Sequence, residues 1–145
     1  MKQHRQRYYE LLNRVRFQGD WEAWLDFFLE GVERVATQAL QTARRLVDLF
    51  AADAARVQGA GRASGSALRV LGALRERPLL TLPEACRRTG LSWPAAANGV
   101  EVLSHLGIVR ELTGRRRNRV VAYRQYLEIL SEGTEPLTAD RAEPR

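Results

Sequence analysis

Apolar residues recur every three or four positions along most of the first 58 residues, a spacing that predicts α-helices with one buried face. The first such segment covers residues 3–16 and is closed by Gly19, after which Asp20 is placed to cap a second helix. The second segment runs without a proline from Trp21 to Val57. It predicts one helix of nearly forty residues, about 55 Å long, which needs either the first helix or a second copy of the chain as packing partner.

A glycine-rich stretch at residues 59–65 (GAGRASG) interrupts the helical pattern. Its glycines resemble those of a phosphate-binding loop, but no strand precedes them and no Lys-Ser or Lys-Thr pair follows, as such loops require. We therefore interpret residues 59–65 as a hinge between two domains.

Three shorter helices are predicted after the hinge. The first ends near Arg77, and the second runs from Leu82 to Thr89 with Thr81 as its N-cap. The third begins after Ser92, a predicted N-cap, and ends at Gly107. Its predicted buried face consists of Ala96, Val100, Leu103 and Leu106.

Two strands are predicted after these helices, at residues 108–112 and 120–123, followed by a helical turn at 126–130. The acidic residues 131–145 are predicted to be disordered. The expected fold is mainly α, with a long helical arm at 1–58 and a winged helix-turn-helix domain with a small β-hairpin at 66–130.

The whole chain has a net charge of +6, and its positive charge is concentrated in the middle segment. Residues 1–59 have a net charge of +1 and residues 128–145 one of −3, whereas residues 60–127 contain twelve arginines and four glutamates, net +8. This distribution predicts that a negatively charged partner binds the middle segment.

The densest cluster of charge lies in the loop that joins the two predicted strands. The loop residues proposed to contact nucleic acid are Arg115, Arg116, Arg117, Asn118 and Arg119. Arginines on a protruding loop would displace the counterions condensed on duplex DNA, and they also suit a narrow minor groove. A solvated basic loop without a partner is the alternative interpretation.

The third predicted helix contains few groups that could read a DNA sequence. Ser92 and Asn98 are candidate contacts, since an asparagine amide can pair with an adenine edge, whereas Glu101 would repel phosphate. For Trp93, packing against Pro94 as a partly buried ring is expected, rather than stacking on or wedging into DNA. DNA binding is therefore predicted to depend mainly on backbone contacts.

No catalytic or metal-binding pattern is found in the sequence. Cys86 is the only cysteine and is expected to be a small core residue, and His4 and His105 lack metal-ligand spacing. We predict that this chain is not an enzyme, has no cofactor and binds no metal. It also lacks a membrane-length apolar run and a signal-peptide pattern, so we expect a cytoplasmic protein without membrane contact.

Several segments resemble the C-terminal part of Fic-domain (Fic/DOC) proteins. They are residues 2–5 (KQHR), 8–12 (YYELL), 19–29 (GDWEAWLDFFL), 106–110 (LGIVR) and 113–123 (TGRRRNRVVAY). The likeness covers nearly all of residues 2–130, and its tryptophan-rich segment is the most specific part. It implies that residues 1–58 correspond to the closing helices of a Fic domain, followed by a winged helix.

Fic domains transfer AMP from ATP to protein hydroxyl groups, with a divalent cation, through a loop of pattern HPFxxGNGR. This sequence has no such loop, and the resemblance implies that the chain begins beyond it. The expected function is a winged-helix nucleic-acid-binding, regulatory module that binds duplex DNA. The alternatives are a protein-interaction module that dimerises through its arm, using Trp21, Trp24 and Phe28, and a truncated or mis-started product of a protein adenylyltransferase (AMPylation) gene.

Overall fold

The protein is mainly helical, with a small antiparallel sheet. The computed structural model describes residues 5–61, 64–114 and 119–132. Within them the elements, in chain order, are α1 (Arg5–Gln18), α2 (Trp21–Gln58), α3 (Ser64–Glu76), β1 (Leu79–Thr81), α4 (Leu82–Thr89), α5 (Trp93–His105), β2 (Val109–Glu111), β3 (Val120–Tyr123) and α6 (Arg124–Ser131).

The two helices predicted for the first half of the chain are present. The N–H of Gly19 donates to the carbonyl of Val15 at 3.0 Å and ends α1. A carboxylate oxygen of Asp20 accepts from the N–H of Ala23 at 3.3 Å, which is the N-cap geometry predicted for α2. The second helix has 38 residues, about 57 Å at the standard rise per residue.

Although α2 is long enough to cross a membrane, it is not apolar enough to do so. Throughout the described part of the chain, no helix combines the length and the apolar character that a membrane span requires.

The chain divides into two compact units within α2, whereas the sequence predicted a division at residues 59–65. One unit ends at Ala43 and the other begins at Arg44. The difference has a physical cause, since Leu49 and Val57 of α2 belong to the hydrophobic core of the second unit. Part of the predicted hinge is also helical, because α3 begins at Ser64, and residues 62–63 lie outside the described residues.

The core of the second unit forms where α3 packs against α5 and the sheet. Its fully buried side chains include Leu74, Leu103 and Tyr123. A Cβ atom at Gly99 would lie 3.0 Å from the backbone of Ser66, so any larger residue there would push α5 and α3 apart by a few tenths of an ångström. This buried glycine was not among the predicted core positions of α5.

The sheet has three strands in the order β1-β3-β2, one more than predicted. β1 pairs with β3 in antiparallel register, with Leu80 opposite Val121, and β2 pairs with the other edge of β3, with Arg110 opposite Ala122. The strand at Leu79–Thr81 is too short to show an alternating pattern, and Thr81 also caps a helix. Pairing with β3, distant in sequence, therefore makes it a strand.

Both predicted N-caps of the short helices are confirmed. The hydroxyl of Thr81 accepts from the N–H of Glu84 at 3.4 Å, and Gly90 ends α4 with φ 67°, a left-handed conformation. Ser92 occupies the N-cap position of α5 with extended backbone, although its side chain makes no capping hydrogen bond.

A buried carboxylate connects α2 with β3. Asp53 is 3% exposed and accepts hydrogen bonds from the Tyr123 hydroxyl at 2.8 Å and from Arg56 at 2.7 Å. Arg56 also donates to the carbonyl of Leu106 at the end of α5. Burial, followed by the hydrogen bond to Asp53, raises the pKa of the Tyr123 hydroxyl well above its ordinary value. These contacts satisfy every member of the group.

The last described residues extend further than the predicted helical turn at 126–130. α6 spans Arg124–Ser131. The next residue, Glu132, forms a bidentate ion pair with Arg45 of α2, in which one hydrogen bond is 2.8 Å long. This pair raises the pKa of Arg45 and lowers that of Glu132. The rest of the predicted disordered tail, residues 133–145, lies outside the described residues.

Candidate nucleic-acid interface

The hairpin that carries the arginine-rich loop is present. The N–H of Leu112 donates to the carbonyl of Val120 at 2.9 Å, and the Thr113 hydroxyl accepts from the N–H of Val120 at 3.4 Å. These bonds hold the base of the loop together. Four of the predicted contacts, Arg115, Arg116, Arg117 and Asn118, lie outside the described residues.

Arg119 is the one predicted loop arginine that the structure describes. Its guanidinium lies 3.6 Å from a carboxylate oxygen of Glu111 on β2, and its side chain is 61% exposed. Such an exposed ion pair is weak. Glu111 therefore reduces the positive potential around Arg119, but the guanidinium can still contact a phosphate.

Trp93 lies on the outward face of α5. The residue is 56% exposed, so part of it is buried, as expected, and more than half of it is open to solvent. The cause is the start of α5 at Trp93, since the core-facing positions are taken by Ala96, Gly99 and Leu103. Ser92, the residue that precedes Trp93, is also exposed.

Two further side chains on α5 bear on nucleic-acid binding. Asn98 is exposed, as predicted, and its amide makes no hydrogen bond with any other described residue. Glu101 is also exposed and lies 3.8 Å from His105 one turn later. No lysine or arginine occurs in α5, so its outward face supplies no cation while His105 is neutral.

Several of the arginines that the structure describes elsewhere in the second unit already have carboxylate partners. Arg77 pairs with Glu84 at 2.9 Å, Arg88 with Glu84 at 3.3 Å and Arg124 with Glu128 at 3.3 Å. Their carboxylate partners cancel part of the net positive charge that the composition shows.

Four exposed arginines in the described part of the second unit make neither an ion pair nor a hydrogen bond with another described residue: Arg44 on α2, Arg75 on α3, Arg87 on α4 and Arg110 on β2. Of these, Arg75 lies over the ring of Phe50. Arg87 and Arg110 lie on the elements that carry the predicted contacts or neighbour them, and both can contact phosphate. No sequence signal separates Arg87 and Arg110 from the paired arginines, because ion pairing depends on which elements meet in space.

The first unit presents a broad apolar face on α2. Trp21 is 60% exposed and Phe28 50% exposed, whereas Trp24 is half-buried, its ring stacked on that of Phe28 with centroids 5.4 Å apart. The ring of Trp24 also meets that of Trp21 edge-on. The same helix exposes the further apolar residues Leu25, Leu29, Val32, Val35 and Leu40.

Among the residues that the structure describes, no group of three or more histidine, cysteine, aspartate or glutamate side chains is placed to hold a metal ion. Cys86 is half-buried on α4.

Comparison with known proteins found no family model that matches this chain and no curated protein with significant similarity to it.

Proposed function

We propose that residues 66–130 form a winged helix-turn-helix that binds duplex DNA through its arginine-rich loop. The observation that carries this proposal is the order of elements in the second unit. Two short helices, α4 and α5, follow one another across a tight turn at Gly90, and a hairpin with four arginines in its loop comes next. This combination is typical of a helix-turn-helix that inserts one helix in a groove while the loop contacts the backbone.

The wider proposal keeps the resemblance to Fic proteins. Residues 1–58 would correspond to the closing helices of a Fic domain, and the chain would act as a regulatory, catalytically inactive DNA-binding module in the cytoplasm. ATP and a divalent cation would be needed only by a full-length Fic parent. Reading the DNA upstream of the start codon for an encoded His-Pro-Phe motif would test the third possibility, a truncated adenylyltransferase gene.

The salt dependence of DNA binding tests the main proposal. Four phosphate contacts should give a slope of about −3.6 in a plot of log binding constant against log salt concentration. Affinity for a labelled 20-base-pair duplex, measured by fluorescence anisotropy, should then fall roughly 150-fold between 50 and 200 mM salt. Absence of binding at 50 mM salt, or binding that does not respond to salt, would contradict the proposal.

A second candidate function, self-association through α2, is favoured by the exposed apolar face of the first unit. Leu25, Phe28, Val32 and Val35 follow steps of three and four residues, the spacing of a helix-packing seam. Contiguous apolar surface of this kind marks interaction sites in soluble proteins. The proposed partner is a second copy of the chain.

A charge placed in the seam tests this second candidate. Val35 is 66% exposed, so Val35→Glu should leave the fold intact but weaken self-association at least tenfold, because the carboxylate would be buried between two helices. Sedimentation equilibrium measures the change. Thr37→Glu is the matched control, since it adds the same charge on the opposite side of the helix. Equal association of both variants would exclude the seam.

A further inference from the structure

We propose that α5 reads A·T base pairs in the major groove, with Trp93 against thymine methyl groups and Asn98 paired with adenine. This inference rests on the proposed DNA binding and adds a sequence preference to it.

The composition of α5 excludes one kind of base readout. Guanine is most often recognised by an arginine or lysine that bridges its O6 and N7 atoms, and α5 (WPAAANGVEVLSH) contains neither residue. Its exposed side chains therefore cannot select G·C pairs in this way. The remaining groups that can contact a base edge are an indole, an amide, a carboxylate, a hydroxyl and an imidazole.

Trp93 is suited to contact the thymine methyl group in the major groove. The N-terminal residues of the second helix of a helix-turn-helix contact base edges, and Trp93 is the first residue of α5. Its ring is 56% exposed and, among the described residues, makes no aromatic or cation–π contact, so its surface is open to a ligand. The thymine C5-methyl is the one apolar group that base pairs present in the major groove.

Asn98 fits adenine, the partner base of thymine in an A·T pair. Its exposed amide has a donor and an acceptor, which match the N7 acceptor and N6 donor of adenine. Asn98 follows Trp93 by five residues, a rise of about 7.5 Å along the helix, or roughly two base-pair steps of about 3.4 Å. Between them, Ala95 and Ala97 are small and half-buried, so they allow close approach of the helix to the bases.

Glu101 supplies the competing interpretation, because a carboxylate can accept from the N4 amino group of cytosine. It lies beside His105, however, and only protonation of that imidazole would offset the repulsion between Glu101 and phosphate. A preference for G·C-rich over A·T-rich duplexes would therefore assign the readout to Glu101 and overturn the proposal.

Replacement of thymine by deoxyuridine tests the role of Trp93, because it removes the methyl group and keeps the base pairing. Wild-type protein should bind an A·T-rich duplex about fourfold more tightly with thymine than with deoxyuridine. Trp93→Ala should bind the two duplexes equally. Phe17→Ala, which truncates an exposed aromatic residue of α1, should keep the wild-type difference.

The second arm of the experiment tests Asn98. Asn98→Ala should reduce the preference for an A·T-rich over a G·C-rich duplex at least fivefold, while Asn13→Ala, at an exposed asparagine of α1, should not change it. Equal wild-type affinity for thymine and deoxyuridine duplexes, or an unchanged preference in Asn98→Ala, would overturn the inference even though the protein still binds DNA. Failure to bind any duplex would instead overturn the proposed function itself.

Discussion

Replacing Arg115, Arg116, Arg117 and Arg119 together with alanine is expected to abolish retention of the protein on duplex DNA. Each phosphate that an arginine neutralises contributes about 0.9 to the salt-dependence slope, so four such contacts account for roughly 4,000-fold of affinity at 0.1 M relative to 1 M salt. The loop is the densest cluster of arginines in the chain, whereas Arg77, Arg88 and Arg124 are already in ion pairs. The slope of log binding constant against log salt concentration should change from about −3.6 to near zero.

A matched variant separates this loop effect from a general loss of charge. Arg5, Arg16, Arg34 and Arg44 are exposed on α1 and α2, and their replacement by alanine removes the same four charges from other parts of the chain. Binding of both quadruple variants would be measured by anisotropy at 50, 100 and 200 mM salt. If the loop variant binds like the wild type, or if both variants weaken equally, the loop does not contact DNA specifically.

The Asp53→Ala variant is expected to lower the free energy of unfolding of the second unit by about 2–4 kcal/mol. The substitution leaves the Tyr123 hydroxyl, which is fully buried, without its acceptor at 2.8 Å, and it removes the carboxylate partner of Arg56. Urea unfolding followed by circular dichroism measures the loss. Asp48→Ala, at an exposed aspartate of the same helix, should change stability by less than about 0.5 kcal/mol.

A double-mutant cycle and a pH series identify the contact responsible. Tyr123→Phe should make Asp53→Ala less costly, with a coupling of about 0.5–3 kcal/mol. The folded protein holds the pKa of Tyr123 above its unfolded value of about 10, so its contribution to stability is complete below that pH and is lost as pH rises further. Tyr123→Phe should remove this alkaline loss. A wild-type protein equally stable at pH 9 and pH 11 would contradict the buried hydrogen bond.

Local signals predicted the elements whose ends are set by nearby residues. The prediction of α4 at Leu82–Thr89 is correct because the Thr81 cap and the left-handed Gly90 act within one helical turn of its ends. The helix from Trp21 was also predicted correctly from uninterrupted periodicity, and the strand at Val120–Tyr123 from a short apolar run. For the helices, the residues that decide the structure are neighbours in sequence.

Features that depend on distant residues were predicted less well. The strand at Leu79–Thr81 exists because β3, about forty residues later, pairs with it. Trp93 was expected to be partly buried, but how much of it is exposed depends on how α5 lies against α3. The arginine loop was evident from the sequence, but the pairing of Arg119 with Glu111 depends on the geometry of the hairpin.

The sequence by itself determined the helical character of the chain, most of its helix boundaries and the clustering of arginines before β3, because periodicity, caps and composition act locally. Tertiary structure alone decided that the end of α2 joins the second unit, that Asp53 is buried against Tyr123 and that Trp93 faces solvent. The physical reason is that burial and long-range hydrogen bonding are properties of a residue's neighbours in space, which the order of residues does not specify locally.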